Sequence, residues 1–151
     1  MKINEAHEEL LKSLSGLDEA TLSKPMTPGK WSIRDMLAHL IYWNQWCLEY
    51  VRERWAGGTP QGFPTESSFD QLNKEAAEQW AGHSPEQMFE ELDRIRRDTL
   101  DLIKEIGPEG IKEKWLDNGR ETEIGQFFDS FAGHQLYHCK QIWEWRAANH
   151  F

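Results

Sequence analysis

The amino-acid sequence predicts an all-α fold, a four-helix bundle with a short extra helix in the connection between the second and third long helices. Three observations carry this. Apolar residues recur every three or four positions through four long segments, as they do when a helix buries one face. Ser-initiated start signals and Gly or Pro stops bracket those segments. No segment shows the every-other-residue alternation of a half-buried strand, and no repeat or low-complexity tract interrupts the chain.

The first helix is expected from about Ile3 to Leu17, with Ile3, His7, Leu10, Leu14 and Leu17 in one stripe. Ser23-Lys24-Pro25 and Thr27-Pro28-Gly29 then read as turns. The second helix opens on Ser32 as N-cap, with Asp35 three residues on. It runs to about Trp55 and stops at Gly57-Gly58 and Pro60. Its inward face holds Met36, Leu40, Trp43, Cys47 and Val51. At roughly 100° per residue, His39 lies roughly 60° from Met36 and roughly 40° from Trp43, on the edge of that face. Arg34, Gln45 and Glu49 mark the polar side.

A Gly-, Pro-, Thr- and Ser-rich loop covers Gly57 to Ser68. Phe69, Leu72, Ala76 and Trp80 predict the short amphipathic helix, stopped near Gly82. Ser84-Pro85-Glu86-Gln87 combines an N-cap, a first-turn proline and a capping-box glutamine. The third long helix turns Met88, Leu92, Ile95, Thr99, Leu102 and Ile106 inward and ends at Gly107-Pro108. Glu109 to Glu121 reads as a connection containing the Asn118-Gly119 turn. The fourth long helix starts near Thr122, and its stripe is Phe127, Phe128, Phe131, His134, Gln135, His138, Ile142 and Trp145.

With 151 residues, 38% hydrophobic and 28% charged, the chain suits a single soluble domain over 1–151. No apolar run is long enough to span a bilayer. The start, MKINEAHEELLKSL, lacks a signal peptide's continuous apolar core, so a cytoplasmic location without membrane partners is expected. A net charge of −9 opposes binding to nucleic acid. The densest basic cluster, Arg94, Arg96 and Arg97, is flanked by acids and reads as a solvated helix face. Cys47 and Cys139 form no CxxC and read as buried free thiols. Eight tryptophans are enough to wall a concave site as well as fill a core.

His134 and His138 are one helical turn apart on an apolar stripe, within reach of one metal ion. Buried without partners they would cost several kcal/mol, about what any unpaired polar pair costs; a shared metal or a hydrogen-bonded polar pocket would remove that cost. His39 occupies the same kind of position on another helix. His7 reads as a core histidine satisfied by a backbone carbonyl or an acid, and His83 and His150 as solvated. In the HExxH pattern of zinc proteases the residue after the first histidine is a general base. Here it is Gln135, which cannot take a proton at neutral pH.

Trp31-Ser32-Ile33-Arg34-Asp35-Met36-Leu37-Ala38-His39 resembles the W-S-x-x-D-x-x-x-H signature of the DinB/YfiT-like superfamily. His134-Gln135-Leu136-Tyr137-His138-Cys139-Lys140-Gln141-Ile142 is similar to its closing H-x-x-Y-H-x-x-Q-I. Phe69-Asp70-Gln71-Leu72-Asn73, followed by Ser84-Pro85-Glu86, resembles the middle of many members.

The resemblance spans most of the chain. It implies an up-down-down-up helix order, a metal held by His39, His134 and His138, and a homodimer. Nickel or zinc is the implied ion, with iron a further candidate. Relatives of this kind include thiol-dependent transferases or isomerases and enzymes that open or hydrolyse an electrophilic ring. The expectation is therefore a metal-dependent S-transferase or hydrolase for small electrophiles in detoxification or stress response, with a low-molecular-weight thiol as a candidate cofactor. The alternative is a non-catalytic small-molecule-binding protein whose metal is structural or absent. Trp43, Asn73 and Gln135 are the candidate pocket or ligand-supporting residues, and no residue is singled out as catalytic acid or base.

Overall fold

The structure, a computed structural model, describes residues 2–27 and 30–151. Pro28 and Gly29 of the expected Thr27-Pro28-Gly29 turn lie outside the described residues. The helices are α1 (Ile3–Leu14), α2 (Glu19–Leu22), α3 (Ile33–Trp55), α4 (Phe69–Trp80), α5 (Pro85–Gly110) and α6 (Ile124–Ala148). Two short strands, β1 (Lys114–Asp117) and β2 (Arg120–Glu123), stand between α5 and α6.

The helix starts obey their capping chemistry. Ser32 and Asp35 close a reciprocal capping box on α3, and Ser84 and Gln87 close one on α5 with Pro85 in its first turn. The α5 run breaks at Gly107, whose φ of 80° only glycine adopts cheaply, and Pro108 opens one further turn. The first helix ends at Leu14, earlier than the Leu17 expected, because Gly16 takes the left-handed conformation (φ 81°) just past it. The four-residue α2, capped by Asp18, has too few turns to give a sequence period.

Contacts along the long helices fix their directions. Asn4 meets Arg96 and His7 meets Asp93, so α1 and α5 run antiparallel. Lys2 meets Asp129 and Glu9 meets Trp143, so α1 and α6 run parallel. Gln45 meets Arg94, and Trp55 lies against Gly110, making α3 and α5 parallel. Cys47 reaches the Phe127 carbonyl while His39 reaches His138, so α3 and α6 are antiparallel. The order is up-down-down-up. Parallel neighbours α3 and α5 need a long connection, and that connection carries α4.

The Asn118-Gly119 turn expected within Glu109 to Glu121 joins two strands, where no strand was expected. Asn118 (φ 51°) and Gly119 (φ 76°) are both left-handed, as a tight turn between twisted strands requires. Lys114 pairs with Glu123 and Asp117 with Arg120. The strands escaped pattern reading because they pack little: Leu116 is 65% exposed and Arg120 and Glu121 face solvent. Arg54 of α3 holds the hairpin down. Its guanidinium donates to the Leu116 carbonyl at 3.1 Å and lies 4.6 Å over the Trp115 ring.

Between the helices, Leu10, Ile33, Met36, Leu40, Leu48, Met88, Ile95, Phe128 and Ile142 form a dry core. Cys47 and Cys139 are buried and free, as read from sequence. Arg94, Arg96 and Arg97 pair with Glu91, Asp98 and Asp93 along α5, a self-neutralised face.

Candidate metal centre

The fold brings His39 of α3 together with His134 and His138 of α6. Their Nε2 atoms form a near-equilateral triangle: 3.0 Å from His39 to His134, 3.1 Å from His39 to His138 and 3.1 Å from His134 to His138. The antiparallel packing of α3 on α6 sets His39 against the α6 pair, and the one-turn spacing stacks that pair on a single face.

Two of the imidazoles are oriented by side-chain amides. Asn73 Oδ1 lies 2.8 Å from His39 Nδ1 and also accepts from the Trp43 indole N–H at 3.2 Å. An indole nitrogen can only donate, so the Asn73 atom is its oxygen, and His39 Nδ1–H donates to it. Gln141 Oε1 lies 2.7 Å from His138 Nδ1, which likewise donates. With Nδ1 carrying the proton in both rings, the Nε2 atoms of His39 and His138 face each other as bare lone pairs.

That arrangement fits a cation and little else. One proton on His134 Nε2 cannot satisfy two lone pairs, and His134 Nδ1 is itself buried without a partner. In a triangle of this edge each nitrogen is about 1.8 Å from the centre, close to the roughly 2.0–2.1 Å of a metal–imidazole bond. Burial keeps the donors unprotonated. It pushes His39 down to about 4 against the Asn73 hydrogen bond, and His134 down to about 3 with help from the charges of His138 and His39. His138 is lowered by burial as well, with its Gln141 hydrogen bond opposing.

Neighbouring elements hold the cluster. The crossover helix α4 supplies Asn73, and Arg34 of α3 pins the end of α4 by donating to the carbonyls of Trp80 (3.0 Å), Ala81 (3.2 Å) and His83. Trp31 covers His39 at 4.9 Å between ring centroids, and Tyr137 covers His138 at 5.5 Å.

A cleft of about 1200 Å³ opens beside His39 and His134. Trp43, Trp46, Tyr50, Phe63, Phe69, Phe127 and Phe131 line it, together with Asn73 and polar residues of the hairpin and early α6. Of the sequence-derived pocket candidates, Trp43 and Asn73 therefore stand at the cleft. Gln135 does not: one residue along from His134 it turns about 100° around the helix. It accepts from Asn44 Nδ2 at 2.8 Å and lines a small internal cavity with Cys47 and Thr99. Sequence reasoning missed Gln141, although its three-residue offset from His138 placed it within reach. It also missed Phe63, which lies in the long loop, where no periodicity can point to it.

The sequence profile described as the DinB superfamily matches residues 2–142. The uncharacterised protein YuaE of Bacillus subtilis is 28% identical over 151 residues, covering 93% of each chain. Among solved structures, an uncharacterised protein from Escherichia coli superposes with a TM-score of 0.82 at 15% identity, covering 99% of this chain and 91% of its own. YfiT from Bacillus subtilis, described as a probable metal-dependent hydrolase with an unusual four-helix bundle topology, superposes with a TM-score of 0.72 at 14% identity. It is covered over 85% of its length, against 99% of this chain.

Proposed function

The chain belongs to the DinB superfamily, and from that membership and its three converging imidazoles we propose that it is a metal-dependent enzyme acting on small electrophiles. The reaction is transfer of the electrophile to the sulfur of a low-molecular-weight thiol, a C–S bond forming as the thiol proton is lost and the ring opens or a leaving group departs, or else hydrolysis, in detoxification or stress response. The observation that carries this reading is the triangle of facing Nε2 lone pairs.

His39, His134 and His138 would hold a divalent ion, nickel or zinc ahead of iron, on three neutral nitrogens. Such an ion supplies Lewis acidity, making a thiol or water nucleophilic at neutral pH. The rest falls to the chain. Asn73 and Gln141 fix the ring orientations of His39 and His138, burial keeps all three imidazoles unprotonated at neutral pH, and the aromatic cleft takes the substrate. In this reading the protein works in the cytoplasm as a homodimer, which a light-scattering mass of twice 17.8 kDa would support.

One observation favours a second reading, a non-catalytic binder with a structural metal. Among the described residues no carboxylate is a hydrogen-bond partner of the three imidazoles or joins their cluster, so the cluster itself supplies no carboxylate base. Turnover separates the two. The untagged protein, loaded with nickel or zinc, is incubated with an epoxide or an activated ester, with and without a low-molecular-weight thiol. Thioether from the epoxide, thioester from the ester, or hydrolysed product, each disappearing in His138→Ala, is the expected result. No product from the fully loaded protein, across both electrophile types, overturns the enzymatic reading in favour of the binder.

A further inference from the structure

The cleft is a ladder, and the spacing of its rungs says what fits. On α3, His39, Trp43, Trp46 and Tyr50 follow one another at intervals of four, three and four residues, along a single face. On the antiparallel α6, Phe127, Phe131, His134 and His138 repeat the same intervals. The two rows touch at both ends, while Trp43 between them packs on Phe63 and Phe69. Tyr50 faces Phe127 at 5.6 Å between ring centroids, Trp46 stacks on Phe131 at 5.9 Å and His39 meets His134 at 4.8 Å. Trp46 and Tyr50 are themselves stacked, 15° from parallel. Phe63, from the long loop, lies flat on Trp43 and edge-on to Trp46, each at 5.2 Å, while remaining 48% exposed.

From the histidines at one end to Tyr50 at the other, the floor is about 16 Å long at the rise of an α-helix. The far end is polar: Asp117, Arg120 and Glu121 of the hairpin line it. A small aliphatic electrophile would leave most of this floor bare. The volume, about 1200 Å³, also exceeds the roughly 300–1,000 Å³ of ordinary small-molecule pockets.

We infer that the cleft takes an elongated molecule with at least two linked planar rings, its reacting end at the histidines and a polar head at the hairpin. Contact with the rings of Trp46, Phe63 and Phe131, all less buried than Tyr50, supplies affinity that a single-ring compound cannot reach. The hairpin supplies both hydrogen-bond donors and acceptors to the head. This inference rests on the proposed role of the histidines only for which end reacts; the shape of the floor stands without it.

The test is a binding series by calorimetry. Acetohydroxamate, benzohydroxamate and biphenyl-4-carbohydroxamate share one metal-chelating group and differ by one ring at each step. On the zinc-loaded protein each ring is expected to tighten binding about tenfold or more, as base-on-aromatic stacking does elsewhere. Trp46→Ala should erase the gain from the second ring and leave acetohydroxamate unchanged. Phe63→Ala, at a half-exposed loop position outside the buried core, should reduce the ring gains in the same way. Acetohydroxamate binding with no gain from added rings, or a Trp46→Ala loss equal for all three compounds, overturns the inference. Failure of the metal reading looks different: the protein retains no zinc and acetohydroxamate does not bind. The metal-free protein then decides, because biphenyl-4-carboxamide should still bind about tenfold tighter than benzamide, and equal affinities overturn the inference there too.

Discussion

His7 and the His39–His134–His138 cluster start from the same sequence signal, a histidine on an apolar helical stripe, and reach opposite solutions. His7 Nε2 stands 3.5 Å from Asp93, which also pairs with Arg96 and Arg97 at the edge of the bundle. It is an ordinary half-buried histidine answered by an acid. Among the described residues the three clustered histidines have no acid as partner. Their outer nitrogens donate to amides, or go unpartnered in His134, and their inner nitrogens point at one another. A histidine paired with a carboxylate has its polar demand met; a set whose lone pairs converge suits a cation. The partner, rather than the stripe, separates structure from chemistry.

Removing one member from each region is the strongest way to break that contrast. His138→Ala is expected to weaken zinc binding by at least about a hundredfold, beyond what loss of an outer hydrogen-bond partner costs. His7→Ala should leave zinc affinity unchanged and lower stability by about 1 kcal/mol. A competition titration against a chromophoric chelator measures the first, and urea unfolding the second. Equal effects of the two substitutions on zinc would erase the distinction.

The amides come next. Asn73→Ala and Gln141→Ala should each weaken zinc binding by about 10–100-fold, since each orients one ring and fixes its tautomer. Asn73→Ala should also release the Trp43 indole, readable as a shift in tryptophan fluorescence that Gln141→Ala does not produce.

Protons sharpen the same comparison. In the unfolded chain each imidazole is protonated near pH 6.5, whereas in the fold His39 holds off to about 4 and His134 to about 3. The unfolded state then binds more protons within that window, so the metal-free protein should lose stability as pH falls from 6.5 towards 4. His7, lowered by burial and by Arg96 against the pull of Asp93, contributes in the same direction. His134→Phe should flatten part of the slope in thermal melts between pH 7 and 4.5, with His39 carrying a comparable share and His7→Phe removing less. The smallest effect is expected at Asp93→Asn. Its pairs are partly solvated, so the change should stay within about 1 kcal/mol and leave zinc affinity untouched.

How much of this could be read from residues alone depends on how local the determinant is. The starts of α3 and α5 were legible because a capping box is written within four residues. The candidate histidines were legible because a four-residue spacing, a face assignment and the motif around His39 are all local features. Asn73 was reachable through its motif, but its double acceptance from His39 and Trp43 depends on how α4 docks, which the period does not encode. Gln135 misled because adjacency in sequence means about 100° of separation on a helix. The hairpin carried its strongest signal in plain view, Asn118-Gly119, yet its strands bury too little to alternate.

The central claim is that three neutral imidazoles form one metal site. Its most direct test is a zinc titration of the untagged, metal-free protein against a competing chelator, with His138→Ala in parallel. One equivalent per chain, bound tightly by the wild type and lost in the variant, is the predicted result. A wild type that fails to compete for zinc, or a variant that binds it equally well, would contradict the claim.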